Sequence, residues 1–381
     1  MNIVIDLRNL NQKQKTGIGE YTEEFLNTCL EIDQKNEYWL FYNDFHRENI
    51  FKKEWAKPNV HFVRKNWPNK ILNFLFFCHL LKFDRFVLSG IKNKNIKIDW
   101  FFLPNLNFVN FSKNVKYILT VHDLSFEFMS HFFCLKRRLW HKLLKPKKVC
   151  QQAEKIICPS ENTKRDVMDI YKISEKKISV SYLGLAKIFF REFSEETKNI
   201  LKKKYDLPEN FILFLGTFEP RKNINLLLDV YKKTNLFQRG YYLILAGAKG
   251  WKNKEIFAKI KNISGVKYIS YVAAEDKKAL YNLAKIFVYP SFYEGFGLPV
   301  LEAMNSQVPV ITTNNSSLPE ISLDTTILIN PYNEYELENA IENLLDNEKI
   351  RQKFINKAYQ RSQNFSYENH VKNFLTLLFL E

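Results

Sequence analysis

Short apolar runs alternate with amphipathic segments along almost the whole chain. In the first half, Ile3–Leu7 (IVIDL), Tyr38–Tyr42 (YWLFY) and Tyr117–Val121 (YILTV) have the length and composition of buried strands. Between them, Tyr21–Leu30 carries apolar residues at helical spacing, and the second half resumes the pattern at Phe211–Leu215 (FILFL). Strands that alternate with helices predict parallel sheets joined by right-handed crossovers.

Chain length predicts two domains. The 381 residues exceed the roughly 250–300 at which single hydrophobic cores stop growing. We assign one sheet to residues 1–188 and the other to residues 189–364. Residues 365–381 include the strongly apolar stretch Tyr367–Leu380, which lies too late in the chain to belong naturally to the second sheet. We expect a helix there that needs a docking partner, and the first domain is one candidate.

The start of the sequence and its cysteine pattern predict a protein of the reducing cytoplasm. The chain opens directly into a strand-like run, without a secretory signature. Its longest apolar stretch, Ile71–Leu81, is too short to span a membrane and suits a buried or interfacial helix. The cysteines number five and form no Cys-x-x-Cys pair, which argues against both a disulfide framework and a zinc knuckle.

Positive charge is concentrated in the first half. Residues 1–190 carry 32 Lys and Arg against 19 Asp and Glu, a net +13, whereas residues 191–381 carry 25 against 22, a net +3. Such a balance indicates a polyanionic partner, which could be nucleic acid, an anionic membrane or a phosphorylated substrate. A compositional bias of the source genome is the alternative explanation.

The basic segment Phe132–Val149 (FFCLKRRLWHKLLKPKKV) has leucines and Trp140 at three-to-four spacing, with most of its cations on the other face. This pattern is typical of a helix that lies on an anionic membrane surface. A solvated helix whose apolar side packs on the sheet is the alternative.

Glycines or polar residues follow several predicted strands. Gly17 and Gly19 come between the first strand and a helix, an arrangement that aims helix amides at an anion, although a tight structural turn also accounts for a lone Gly-x-Gly. His122 directly follows the YILTV strand. Ligands bind beyond the carboxyl ends of strands in open parallel sheets, so His122 is a candidate site residue; a hydrogen-bonded structural histidine is the alternative.

Arg221 and Lys222 lie just beyond the FILFL strand, with Gly216 five residues before Arg221. Arginine can bind phosphate bidentately, and lysine acts as a point charge. A helix that starts near Asn225 adds a dipole that favours the same anion. These residues predict a diphosphate clamp, with an exposed basic turn as the alternative.

The stretch Tyr289–Met304 (YPSFYEGFGLPVLEAM) places Glu294 in a loop with two glycines and Glu302 on the helix that follows. Carboxylates suit hydroxyl groups, so a phosphate clamp with two carboxylates describes a nucleotide sugar. The sequence contains no Asp-x-Asp pair, so we expect no dedicated divalent metal. Lysine and arginine would then carry the charge of the leaving diphosphate.

Six motifs, in this order and spacing, resemble those of the family 4 glycosyltransferases with GT-B architecture, in particular bacterial mannosyltransferases of surface polysaccharide synthesis. The resemblance covers nearly the whole chain. Its motifs are GIGEYTEEF (17–25), TVHDL (120–124), PSENTKRDV (159–167), GTFEPRKN (216–223), YEGFGLPVLEA (293–303) and SSLPE (316–320).

The resemblance implies two Rossmann-like parallel-sheet domains that face each other across a cleft. The N-terminal domain would bind the acceptor, the C-terminal domain would bind the nucleotide sugar, and the last helix would cross back onto the first domain. Glu294 would contact the donor hexose, Glu302 the nucleotide ribose, and His122 would lie beside the transferred sugar. Arg221 and Lys222 would hold the diphosphate. The further donor-binding residues that it implies are Gly17, Gly19, Gly216, Thr217, Val272, Gly295, Phe296, Gly297 and Leu298. Many relatives have arginine where this chain has Thr217.

The implied activity is retaining, metal-independent transfer of a hexose, in the first instance mannose from GDP-mannose, with no cofactor. The acceptor would be lipid-linked or a saccharide in the synthesis of O-antigen, capsule or lipopolysaccharide, and the protein would be peripheral on the cytoplasmic membrane face. A UDP- or dTDP-sugar donor stays open. The competing class is a basic nucleic-acid-binding protein, although the sequence shows no recognised nucleic-acid module.

Overall fold

A computed structural model describes residues 1–11, 17–45, 52–93 and 95–379. They form two compact units. Unit 1 consists of Met1–Leu124, Lys136–Gly184 and the chain from Tyr367 onward; unit 2 consists of Ser125–Leu135 and Leu185–Ser366. Each unit contains one parallel sheet with helices, so the predicted fold class is confirmed.

The unit 1 sheet has the strand order β3-β2-β1-β4-β5-β6-β7, and each pair of neighbouring strands in it is parallel. These strands are buried along most of their length because both faces of a parallel sheet are covered by helices. The strands are added outward from β1 to β3 on one side of the sheet and from β4 to β7 on the other. The order in which the chain adds strands therefore reverses between β1 and β4. The strands are β1 (Asn2–Asp6), β2 (Glu37–Asn43), β3 (Val60–Lys65), β4 (Trp100–Leu103), β5 (Tyr117–Thr120), β6 (Lys155–Cys158) and β7 (Ile178–Val180).

The helices of unit 1 include the last helix of the chain, α16 (Tyr367–Leu377), which packs against α1 (Gly17–Ile32). The ring centroids of Phe25 and Phe374 are 5.0 Å apart, and those of Phe102 and Phe374 are 4.6 Å apart. The apolar C-terminal helix therefore completes the core of unit 1. The helices are α1 (Gly17–Ile32), α2 (Asn69–Phe77), α3 (Phe83–Leu88), α5 (Leu135–Leu144, whose first residue belongs to unit 2), α6 (Pro146–Gln152), α7 (Glu161–Tyr171) and α16 (Tyr367–Leu377); α4 (Ser125–Phe128) belongs to unit 2.

The unit 2 sheet has the strand order β10-β9-β8-β11-β12-β13, and each pair of neighbouring strands in it is parallel. Chain order reverses direction between β8 and β11, which are neighbours. The strands are β8 (Phe211–Leu215), β9 (Tyr242–Ala246), β10 (Val266–Ile269), β11 (Ile286–Tyr289), β12 (Val310–Thr313) and β13 (Ile327–Ile329). The helices are α8 (Glu195–Tyr205), α9 (Ile224–Lys233), α10 (Lys254–Lys261), α11 (Ala274–Leu283), α12 (Leu298–Asn305), α13 (Leu318–Ser322), α14 (Glu334–Asp346) and α15 (Glu348–Ser362).

The chain contributes to unit 2 before its second half, through the segment Ser125–Leu135. Phe132 stacks on Phe292 with ring centroids 5.5 Å apart, and the Trp251 indole N–H donates to the Phe132 carbonyl over 2.7 Å. Sequence periodicity does not indicate this packing, because the segment is short and adjoins the basic helix of the first half.

The basic segment forms two helices instead of one. Lys145 separates α5 from α6 and has a left-handed backbone with φ of 51°. The outer leucines of α5 do not pack on the sheet, since Leu139 is 58% exposed and Leu143 is 37% exposed. The alternative in which the apolar side of this helix packs inward is therefore wrong for these two residues.

Gly17 and Gly19 belong to the first turn of α1 instead of a loop before it. The turn predicted ahead of that helix includes Thr16, which lies outside the described residues. None of the helices in the described ranges combines the length and the hydrophobicity that a membrane crossing requires.

Candidate active site

The predicted phosphate and sugar residues of unit 2 meet at one edge of its sheet. Gly216 to Lys222 follow β8, and Glu294 to Leu298 follow β11. These two strands flank the point at which chain order reverses, and in open α/β sheets that point is where ligands bind beyond the carboxyl ends of the strands. The fold therefore brings together the two motifs that carry most of the predicted chemistry.

A short turn after β8 fixes the two cations. Pro220 to Lys222 form a 3-10 turn that ends at Asn223, whose left-handed backbone has φ of 54°. The Asn223 side-chain amide donates to the Pro331 carbonyl over 2.7 Å, which anchors the turn at its end. Asparagine tolerates this conformation better than most residues, so α9 begins immediately after the turn.

Lys222 and Glu294 form a buried ion pair. The Lys222 ammonium donates to Glu294 Oε1 and to the Tyr289 hydroxyl, each over 2.6 Å. Lys222 and Glu294 are each 7% exposed. The ammonium also lies 5.0 Å from the Tyr289 ring centroid, a distance at which the aromatic face stabilises a cation.

Arg221 binds the same carboxylate from its other side. Its Nη1 donates to Glu294 Oε2 over 3.2 Å and to the Tyr293 carbonyl over 2.6 Å. Its Nε and Nη2 donate to Glu219 Oε1 over 3.1 and 2.8 Å. Glu219 is 2% exposed, so two carboxylates and two cations share one buried cluster.

The two cations determine the ionisation of Glu294. Burial opposes the charged form, but Lys222 and Arg221 outweigh it and lower the pKa of the Glu294 carboxyl to about 2. The carboxylate is therefore ionised throughout the physiological range. Removing one member of a buried pair leaves an uncompensated charge, which typically costs about 3–5 kcal/mol.

Gly297 shapes the end of the loop that follows Glu294. Its φ is +109°, and a Cβ at this position would lie 2.7 Å from Leu318 Cδ2. The residue after it, Leu298, begins α12, and Pro299 follows within the first turn, where the missing N–H costs nothing. Within the described ranges the Leu298 amide donates to no acceptor, so it is available to a ligand at the positive end of the helix dipole.

Two serines beyond β12 hold this loop. The Ser316 hydroxyl accepts from the Glu294 amide over 2.9 Å. The Ser317 hydroxyl donates to the carbonyls of Glu294 and Phe296 over 2.9 and 2.7 Å. The sequence motif SSLPE contains both serines, but it carries no signal for which backbone groups they bind.

Glu302 lies on α12, one helical turn after Leu298, and has its own hydrogen-bond partner. The Tyr281 hydroxyl, on α11, donates to Glu302 Oε2 over 2.9 Å, and both residues are buried. The carboxylate is thereby held in one orientation. Tyr281 was not among the predicted site residues, because nothing in its local pattern distinguishes it from a core tyrosine.

The remaining unit 2 candidates occupy different environments. Gly216 packs under Tyr289, and a Cβ on it would lie 3.3 Å from that ring. Thr217 is exposed and occupies a surface position next to the turn. Val272 is buried beyond the carboxyl end of β10, two strands away from β8.

His122 occupies the equivalent edge of the unit 1 sheet. Its Nε2 donates to the Pro104 carbonyl over 2.8 Å, and burial lowers the pKa of its imidazole, which favours the neutral form. Pro104 follows β4, next to the reversal point of this sheet. The Tyr21 ring contacts His122 edge-on, with centroids 4.6 Å apart.

α16 supports that histidine indirectly. His370 Nε2 lies 3.1 Å from the Tyr21 hydroxyl, and His370 Nδ1 lies 2.8 Å from the Ser181 hydroxyl. Burial lowers the pKa of His370 to about 4, so its ring is neutral at physiological pH. The last helix therefore contributes a fully buried hydrogen-bonding residue to the surroundings of His122.

Two family models match the sequence in consecutive regions. The Glycosyltransferase Family 4 model matches residues 47–186, and the model described as Glycosyl transferases group 1 matches residues 195–361. The O-antigen chain mannosyltransferase B of Escherichia coli is 30% identical over 256 residues, which are 66% of this chain and 67% of that protein. This chain is a group 1 glycosyltransferase. The predicted family and enzyme class are confirmed.

Other relatives of this glycosyltransferase are larger or more distant. The serotype-specific mannosyltransferase WbdA of Escherichia coli is 30% identical over 226 residues, which are 58% of this chain but only 28% of WbdA. The structure of HepE from Anabaena in complex with UDP and glucose has a TM-score of 0.72 at 16% identity and covers 99% of both chains. At that identity the structural likeness shows the shared fold.

Proposed function

We propose that this glycosyltransferase moves a hexose from a nucleotide-sugar donor to its acceptor with retention of anomeric configuration and without a resident metal. Mannose from GDP-mannose is the first candidate, because the sequence relatives are named as mannosyltransferases. The observation that supports the proposal most directly is the buried cluster of Lys222, Arg221 and Glu294 at the reversal point of the unit 2 sheet.

The cations of this cluster suit a diphosphate. Lys222 and Arg221 together bring two positive charges to a largely dehydrated position, where electrostatic interactions are stronger than in water. The Leu298 amide at the start of α12 adds a neutral donor. As the bond between the anomeric carbon and the diphosphate oxygen breaks, these groups stabilise the negative charge that develops on the leaving group.

The carboxylates suit the hydroxyl groups of the donor. Glu294 would accept hydrogen bonds from the hexose, and the Ser316 and Ser317 contacts to its backbone keep the loop in place. Glu302, oriented by Tyr281, would accept from the ribose. In this arrangement, the two cations hold Glu294 ionised, and the sugar is positioned directly beside the diphosphate.

The arrangement supports same-face displacement. The acceptor oxygen forms its bond to the anomeric carbon on the face from which the diphosphate oxygen departs, and the acceptor proton passes to that oxygen. Glu294 is a poor nucleophile for a double displacement, since two cations bind its carboxylate and hold its pKa at about 2. On unit 1, His122 donates to the Pro104 carbonyl, and burial favours its neutral form.

The acceptor that we propose is lipid-linked or an oligosaccharide in surface polysaccharide synthesis, at the cytoplasmic face of the membrane. The support is the naming of relatives for O-antigen chains. A UDP-sugar is the second candidate donor, because HepE has the same fold and was crystallised with UDP and glucose.

Titration calorimetry with GDP-mannose, UDP-glucose and a dTDP-sugar tests the donor. We expect saturable binding of one nucleotide class, and no binding of any nucleotide sugar would overturn the proposal.

Turnover with a chelator present tests metal independence, and loss of activity that Mg²⁺ restores would contradict it. NMR of the product anomeric proton tests retention, and an inverted product would exclude same-face displacement.

A further inference from the structure

Large apolar side chains are exposed on two neighbouring helices of unit 1. On α2, Ile71 is 51% exposed and Phe74 is 60% exposed, and Leu80 just beyond the helix is 71% exposed. On α5, Leu139 is 58% exposed and Leu143 is 37% exposed. Exposed apolar residues are ordinary when scattered singly, but a contiguous group of them indicates an interaction site.

Both helices have an outward apolar face and an inward one. On α2, Ile71 and Phe74 are three residues apart and point outward, whereas Leu72 and Phe76 are buried. On α5, Leu139 and Leu143 are four residues apart on the outer side, whereas Leu144 is buried. The outward residues are therefore additional to those that fix each helix to unit 1.

The end of α2 adjoins the start of α6, the helix that follows α5 after Lys145. The Lys145 ammonium lies 4.6 Å from the ring centroid of Phe77, the last residue of α2. The Lys148 ammonium lies 3.4 Å from His79 Nε2. We define the two-helix surface as the outward residues of α2 and α5 together with the exposed cations of α5 and α6.

Six cations of this segment have no acidic partner among the described residues. In the described part of the chain, no carboxylate lies within ion-pair distance of Lys136, Arg138, Lys142, Lys145, Lys147 or Lys148. Elsewhere some exposed lysines do have acidic partners, as Lys233 has Glu338 and Lys372 has Glu368. Unpaired positive charge beside exposed leucine and phenylalanine is the composition of an interfacial helix.

We propose that the two-helix surface docks unit 1 on an anionic lipid bilayer, with its apolar residues in the interface and its cations against the headgroups. This inference rests on the proposed function, in which the acceptor is lipid-linked. A nucleic acid would match the cations but leave Phe74 and Leu139 in water. A second copy would place one cationic surface against another, because a two-fold interface pairs like surfaces.

Flotation with vesicles of phosphatidylcholine alone, or with about 30% phosphatidylglycerol, tests the docking. We expect binding to the anionic vesicles only, decreasing with salt. Each cation near such a surface contributes about 1 kcal/mol, roughly a fivefold change in affinity. The variant Arg138→Glu/Lys142→Glu/Lys147→Glu should therefore bind at least about tenfold more weakly. The matched control is Lys232→Glu/Lys349→Glu/Lys353→Glu, which changes three exposed lysines of unit 2 and should bind normally.

The apolar component needs its own variant. Phe74→Ser/Leu139→Ser should weaken vesicle binding at every salt concentration, and Ile200→Ser, at an exposed position on unit 2, should not. Thermal unfolding of each variant checks that the fold is kept. Equal vesicle binding by the surface variant and its control would overturn the proposal. The proposal would also be overturned if the wild type bound an oligonucleotide and only the charge variant lost that binding. A wild-type dimer that Phe74→Ser/Leu139→Ser converts to a monomer would overturn it as well.

Donor calorimetry on the same variants separates this inference from the proposed function. Donor binding without vesicle binding would remove the docking surface and leave the transferase proposal intact. Vesicle binding without donor binding would support the docking surface and remove the transferase proposal.

Discussion

The ammonium of Lys222 lies 2.6 Å from Oε1 of Glu294, and both side chains are buried at the edge of the unit 2 sheet. Neither charge can be removed without leaving the other unbalanced. Residues that look from the sequence like separate phosphate and sugar contacts therefore also act as a structural pair, and substitutions there have two effects that must be measured separately.

Replacing Glu294 should abolish transfer and also destabilise unit 2. Glu294→Gln keeps the side-chain size but leaves Lys222 and Arg221 without their shared carboxylate, so we expect a loss of about 3–5 kcal/mol in the free energy of unfolding. Turnover at a temperature where the variant is folded should fall at least about 100-fold. Denaturant unfolding and transfer assays check the two effects. Wild-type turnover in the folded variant would remove Glu294 from the site.

Replacing Lys222 should weaken binding of the diphosphate and leave binding of the base unchanged. Lys222→Met removes the charge while keeping an apolar stem against Tyr289. Calorimetry should show a loss of affinity for the nucleoside diphosphate and none for the nucleoside. Lys232→Met, on the exposed side of α9, is the control. Equal loss for both ligands would indicate a collapsed site instead of a missing phosphate contact.

Stability should depend on pH through Glu294. Its folded-state pKa of about 2 is below the ordinary value of 4.5, so its contribution is complete above about pH 4.5 and is lost as the pH falls toward 2. A shift of that size corresponds to about 3 kcal/mol. Unfolding free energies of the wild type and Glu294→Gln should converge over this window. A constant difference between them would contradict the assignment.

Gly297→Ala should impair the loop after Glu294. Alanine at φ +109° is strained, and its Cβ would lie 2.7 Å from Leu318 Cδ2. We expect a loss of at least about 1 kcal/mol in unfolding free energy, with reduced donor affinity. Gly17→Ala is the stability comparison, since no atom lies within 4 Å of its new Cβ. Leu318→Ala removes a buried side chain and is destabilising by itself. In a double-mutant cycle, the combined loss should therefore be smaller than the sum of the two single losses by the part that the clash causes.

Tyr281→Phe should affect recognition of the ribose. Without the hydroxyl, Glu302 loses the donor that fixes its orientation. One such hydrogen bond is worth about 1 kcal/mol, so affinity for the nucleoside diphosphate should fall roughly fivefold. The 2′,3′-dideoxynucleoside diphosphate should bind wild type and variant equally. A fivefold loss for that analogue as well would place the effect elsewhere.

The positions of the strands and the main site motifs were predictable because they are local in sequence. Buried strands are short apolar runs, and the glycines, cations and Glu294 follow directly on them. The partners of those residues were not predictable, since Glu219, Tyr281 and Ser317 resemble ordinary core or turn residues until the fold places them. The break at Lys145 was also missed, although Pro146 directly after it is a sequence signal for a helix boundary.

The same limit applies to the basic segment. Its periodicity identified an apolar face but could not show whether that face packs inward. Inward packing requires an uncovered part of the sheet beside the helix, and the local sequence does not show whether one exists. The exposure of Leu139 shows the outcome. In contrast, the apolar character of the last helix correctly indicated a docking partner, since α16 covers Phe25 and Phe102.

That position of α16 bears on the order of biosynthesis. Unit 1 takes its first strand from the beginning of the sequence and its last helix from residues 367–377, so its core cannot close until the ribosome has passed them. Residues 185–366 of unit 2 emerge earlier and can fold while Phe25 and Phe102 still lack Phe374. The unit that is begun first is thus completed last, and a nascent chain stopped before Tyr367 would present these aromatic rings to chaperones.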